Sequence, residues 1–166
     1  MKYTNVIHAA LVAVLFSLMP MHSFAQGTNV AFGTIRQDSS VPVEVTADNL
    51  DVNQDNGTAV FTGNVVIGQG EMRLSGDRVL VVYRAETRGI ARLEATGNVV
   101  LVSGPDAAEA KRADYDIDSG VITMTGDVLL KQGQSALTSD RMTVQLDDGT
   151  AQMTGRVKTI LQTGQN

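Results

Sequence analysis

Carboxylates are the only side chains here with an open claim to catalysis, because the usual reactive partners are missing. Cysteine is absent from all 166 residues, and the only two histidines, His8 and His22, lie in an N-terminal stretch read below as a removable signal. That excludes His-based acid–base catalysis, a Ser-His-Asp arrangement, thiol chemistry and the usual zinc ligand sets from the remaining chain. Asp48, Asp77 and Asp140 occupy equivalent places in a repeated phrase, whereas an active site needs different residues converging once. With no Trp and three Tyr, little is present to build the apolar setting that raises one carboxyl of a catalytic pair. These three read as turn and strand-entry formers. Asp114, Asp116 and Asp118 alternate as in a calcium loop but lack its central glycine and terminal glutamate. They read as a solvated strand edge, so no metal and no cofactor is expected.

The segments that carry these residues begin after a targeting signal. Lys2 precedes an apolar run, Val6 to Met19, and Ser23-Phe24-Ala25 presents small residues where a signal peptidase reads. Residues 1–25 are therefore expected to be cleaved. The run is short for a bilayer span, and retention as an anchor is the competing reading. What remains is 141 residues with twelve basic against eighteen acidic side chains, a formal charge of −6. That suffices for one modest core and disfavours nucleic acid, whose binding needs concentrated positive charge. Residues 26–40 read as a flexible leader with at most a short extended piece around Val30 to Ile35, residues 41–162 as one domain, and 163–166 as a disordered tail.

From Val43 to Leu161 the chain reads as all-β: strands of three to six residues, rich in Val, Ile, Thr and Leu, recurring every six to nine positions. Three phrases recur. Asp55-Asn56-Gly57, Asp118-Ser119-Gly120 and Asp147-Asp148-Gly149 form one series. Thr62-Gly63-Asn64, Thr96-Gly97-Asn98, Thr125-Gly126-Asp127 and Thr154-Gly155-Arg156 form another, their glycines 34, 29 and 29 apart. Ala47-Asp48-Asn49, Gly76-Asp77-Arg78 and Ser139-Asp140-Arg141 form a third. Both glycine series are expected to be hairpin turns, since each places glycine where φ is positive. Asp106 to Arg112 is the one helix-compatible stretch and reads as an interruption, with no aspartate phrase between Asp77 and Asp140. Repeats of roughly thirty residues that stack and bury a common interior describe a solenoid or rolled antiparallel sheet. Its interior would be branched and flexible, with methionines at 72, 124, 142 and 153. That suits ordinary core filling, and also a slot for flexible alkyl chains.

The stretch Val45 to Val81 resembles the opening repeat of the LptA family of lipopolysaccharide transport proteins, the OstA-like N-terminal domain. The resemblance rests on Thr46-Ala47-Asp48, Ala59-Val60-Phe61-Thr62-Gly63-Asn64-Val65, Met72-Arg73-Leu74 and Asp77, and resumes from Asp140-Arg141-Met142 to Ile160. It implies a β-taco or β-jellyroll with an apolar groove that shelters the acyl chains of lipopolysaccharide. It further implies a non-enzymatic bridge in the periplasm. Its partners would be an inner-membrane-anchored periplasmic component, an outer-membrane lipopolysaccharide translocon, and end-to-end copies of itself. Phe61, Ile67, Leu74, Val81, Met124, Leu130 and Met142 are the expected groove positions. Arg73, Arg78 and Arg141 are candidate phosphate contacts, against the plainer reading of solvated strand-edge charges. Two alternatives stay open: a packed, protein-binding structural or adhesive solenoid, and the periplasmic roll of a membrane-anchored sister. An exported carbohydrate-active enzyme ranks below both, for want of aromatic platforms.

Overall fold

The computed structural model describes residues 27–33 and 41–160; the expected signal segment and C-terminal tail lie outside them. Among the described residues there is no helix. The chain forms β1 (Thr28–Ala31), β2 (Glu44–Thr46), β3 (Asn49–Asn53), β4 (Thr58–Gln69), β5 (Met72–Tyr83), β6 (Ile90–Ser103), β7 (Asp106–Asp116), β8 (Val121–Gln132), β9 (Ser135–Gln145), β10 (Thr150–Thr154) and β11 (Lys158–Ile160). Consecutive strands pair antiparallel from β4 to β10. Both β2 and β3 pair with β4, β11 pairs with β9, and β1 joins the far side of β10.

The strands β4 to β9 are about twice the expected length, and the reason lies in the Thr-Gly phrases. They are not hairpin turns. Three are bends within one strand, where the register of the ladder shifts: between Thr62 and Val65, between Thr96 and Val99, and between Thr125 and Val128. The fourth, Thr154-Gly155-Arg156, carries the chain from β10 to β11, both of which pair with β9. Gly63, Gly97, Gly126 and Gly155 all have positive φ, and so does the residue after each: Asn64, Asn98, Asp127 and Arg156. Two successive left-handed residues turn the strand out of its plane, and Gly followed by Asn or Asp tolerates this best. Gly97 has a second reason to lack a side chain, because a Cβ there would sit 2.4 Å from Asp77 Oδ2.

Each Asp phrase braces the neighbouring bend. Asp48 accepts from Asn64 Nδ2 at 2.8 Å, Asp77 from Asn98 Nδ2 at 2.8 Å, and Asp140 from Arg156 Nη2 at 2.6 Å. The gap in that series is filled by Lys111, whose Nζ lies 2.5 Å from Asp127 Oδ2 with the charges exchanged. Asp106 to Arg112 is therefore neither helical nor an interruption. It is the first part of β7, a full rung, and its alanines pack where larger residues sit elsewhere.

The bends line up as a spine and fold the sheet into two leaves. Leaf A holds β1, β3, β10 and residues 58–62, 78–83, 90–96, 112–116, 121–125 and 141–145. Leaf B holds β2, β11 and residues 65–69, 72–76, 99–103, 106–109, 128–132 and 135–139. The Asp-x-Gly phrases are hairpins along the free lip of leaf A, as read from the sequence. Bends in β5, β7 and β9 also switch the alternation: Met72 and Leu74 face inward on even numbers, Val79 and Val81 on odd. A break in period two inside one strand explains why the apolar pattern of the sequence alternates so poorly.

Candidate functional site, an apolar interior with one unsealed side

Inward residues from both leaves make one continuous core. Ile67, Leu74, Val81, Met124, Leu130 and Met142, six of the seven expected groove positions, are completely buried there, and Phe61 is partly buried against it. Met124, Met142 and Met153 lie directly opposite one another on β8, β9 and β10, which makes a methionine row across three rungs. Unbranched thioether chains adapt their shape with little strain, so this row is the most deformable part of the interior.

The two leaves are joined very differently on their two sides. Along the spine the backbone itself crosses from leaf to leaf. Along the lips, hairpin turns face each other, and among the described residues no backbone ladder connects them. Side chains span the seam instead. Tyr115 of leaf A donates from its hydroxyl to Gln69 Oε1 of leaf B at 2.7 Å, and Gln69 Nε2 donates to the Val41 carbonyl at 3.1 Å. Burial, with lesser help from Asp147 and Asp116, pushes the Tyr115 hydroxyl up to about 12. Asp106 Oδ2 accepts from Gln132 Nε2 at 2.9 Å and from the Gly33 N–H at 2.8 Å.

Gln69, Ser103, Asp106 and Gln132 share the inner row at the lip of leaf B, so this lip is polar where the rest of the interior is not. The sequence reading passed over all four, and over Tyr115 and Phe32. A signal was present: Gln69-Gly70, Ser103-Gly104 and Gln132-Gly133 repeat at the spacing of the Thr-Gly bends.

The remaining candidates sit outside. Arg78 and Arg141 lie on the outer face of leaf A just past the bend, far in the pleat from the lips, and neither forms an ion pair among the described residues. Arg112, between them in the same row, is held by Asp114 and Glu94, which raise its already high pKa. Arg73, on the outer face of leaf B, donates to the carbonyls of Gly70 and Met72 at 2.6 and 2.7 Å. Asp116 caps its own turn by accepting from Ser119, which lowers its pKa, and Asp118 pairs with Arg84. No catalytic convergence of carboxylates emerges from these placements.

Residues 44–160 match the family described as LptA/(LptD N-terminal domain) LPS transport protein. An uncharacterized protein of Rhizobium meliloti (strain 1021) is 29% identical over 115 residues, 65% of this chain and 62% of that protein. The lipopolysaccharide export system protein LptA of Haemophilus influenzae is 28% identical over 97 residues, 54% of this chain and 56% of the relative. The chain thus spans about three-fifths of the length of these curated relatives. Among solved structures, LptH, the LptA homologous periplasmic component of the lipopolysaccharide transport device of Pseudomonas aeruginosa, superposes with a TM-score of 0.68 at 16% identity. The match covers 76% of this chain and 99% of that one.

Proposed function

Because this chain belongs to the LptA/LptD N-terminal domain family of lipopolysaccharide transport proteins, we propose that it is a periplasmic carrier whose interior shelters acyl chains between the two leaves. The observation that carries this reading is the asymmetry of closure. An apolar interior runs the length of the stack, and one of its long sides is held by a few bonds to side chains, from Tyr115 to Gln69 and from the Gly33 N–H to Asp106. Such bonds contribute about 1 kcal/mol each, whereas each alkyl methylene taken from water returns about 0.8 kcal/mol. An acyl chain of several methylenes can therefore replace the ties along the lips while the spine stays intact. Sugars and phosphates would remain outside the seam. The carrier has no energy source of its own; its partners would supply direction.

The bridge itself would form through the ends. At the β3 end Leu50 and Val52 are more than half exposed on an unpaired edge. An edge of this kind accepts another strand, here from a second copy or from the inner- or outer-membrane component. The packed-solenoid reading keeps one observation in its favour, namely that the interior side chains shield one another almost completely from solvent.

Photocrosslinking to lipopolysaccharide in cells separates the two. Probes at Leu74, Val81 and Met142 are expected to give adducts, and probes at outward Leu80 and Thr143 none. A folded, exported protein that gives no adduct at any inward position would leave the packed solenoid.

A further inference from the structure

The segment before the first bent rung does not stay at its own end of the stack. β1 lies on β10, with Thr28 to Ala31 opposite Met153 to Thr150. Among the described residues it is the only strand whose neighbour in the sheet is far from it in sequence. Past β1 the chain turns from leaf A toward leaf B across the seam. Phe32 donates its N–H to the Gly149 carbonyl on the lip of leaf A at 2.8 Å, and its ring enters the core, 2% exposed. Gly33 then donates to Asp106 Oδ2 on the lip of leaf B, and Gln132 Nε2 donates to the Ala31 carbonyl at 2.6 Å. The crossing is fitted to glycine: φ is +74°, and a Cβ would lie 2.3 Å from Ser103 Oγ.

We propose that residues 27–33 are a displaceable strap that holds the seam shut at the β10 end, with Phe32 standing in the interior as a built-in substitute for an acyl chain. The inference rests on the acyl-carrier reading above and adds to it a place of entry and a resident competitor. Three features make the strap removable rather than part of the fixed frame. Its ladder is four residues long and one-sided, and Phe32 is its only fully buried side chain. Asp106 sits at the lip, so its carboxylate exchanges a strap N–H for water when the strap leaves, and no charge is stranded inside. The methionine row ends on β10, beneath the strap, where an incoming chain can reshape the wall.

Cysteine is absent from the chain, so a designed pair will form a single defined crosslink. Asn29 and Gln152 are opposite one another on β1 and β10, both exposed. In N29C/Q152C, uptake of a fluorescent long-chain fatty acid is expected to fall about tenfold on oxidation and to return on reduction, because binding is taxed by the closed fraction. Phe32→Ala should raise uptake about threefold by removing the competitor. Equal uptake by the oxidised and reduced forms would overturn the strap. Hydrogen exchange judges it without any lipid. The amides of Phe32 and Gly33 should exchange about a hundredfold faster than those of Leu101 and Leu130, since local opening precedes global unfolding. Equal protection would show the segment to be a permanent rung. If no form takes up the fatty acid, including reduced N29C/Q152C and Phe32→Ala, the carrier reading falls, and the exchange comparison still decides whether the strap opens.

Discussion

The two ends of the stack face one physical problem, an unpaired strand edge, and meet it differently. At one end β3 lies open, every residue exposed, with Leu50 and Val52 in water. At the other, β1 returns from the N-terminal segment to cover β10, and Phe32 closes the interior behind it. The difference teaches that the stack is directional. One end leaves its edge strand uncovered, while the other carries a strand returned from the N-terminal side of the same chain. β1 is itself paired on one side, and β11 also lies bare there, every residue exposed, with Ile160 on the edge of leaf B.

This contrast can be broken by substitution. The largest expected effect is at the covered end: Phe32→Ala should destabilise by about 3–5 kcal/mol, the range for losing a buried aromatic side chain. Urea unfolding checks it, and no change would mean that Phe32 is not seated. Next comes the seam between the ends. The Tyr115 hydroxyl is raised from about 10 in the unfolded chain to about 12 in the fold. Between those values the folded state keeps a proton that the unfolded chain has released. Stability is therefore full below about pH 10 and falls by about 2–3 kcal/mol as the pH rises to about 12. Tyr115→Phe should flatten that fall and, by deleting the bond to Gln69, cost about 1 kcal/mol at neutral pH.

The open end should respond in association rather than in folding. Replacing both Leu50 and Val52 by Asp is expected to weaken end-to-end assembly at least about tenfold, read by sedimentation, because two carboxylates must then lose water beneath an incoming strand. Unchanged assembly would move the joint elsewhere. The smallest effect sharpens the comparison most. Leu50→Ala should leave unfolding stability within about 0.5 kcal/mol, since the side chain is already in water in the single protein.

Much of the interior was legible. Six of the seven positions named from the sequence are fully buried. Leu74, Met124 and Met142 have polar neighbours on both sides and so one face to give the core, whereas Ile67, Val81 and Leu130 each have an apolar neighbour and take their inward face from the register of the ladder. The bends were not legible as bends. A Thr-Gly-Asn phrase supplies positive φ equally to a hairpin and to a corner, and the local sequence does not say whether the next segment pairs with the last or continues past it. That is decided by Asp48, Asp77, Lys111 and Asp140 on adjacent strands, which brace each corner from 15 or 20 residues away. The Lys111–Asp127 exchange shows why Asp106 to Arg112 read as an interruption: a search for aspartate misses a brace whose charges are reversed.

Composition and apolar spacing along the chain were enough to settle the all-β class and the absence of cysteine chemistry. They also determined the apolar character of the interior. Only the tertiary structure decided which side of the sheet is continuous, which is held by side chains, and where residues 27–33 come to rest. Those are properties of pairing across 46 to 125 residues, and Asp106 with Gly33 or β1 with β10 leave no local pattern, because each partner alone satisfies the rules of an ordinary strand end.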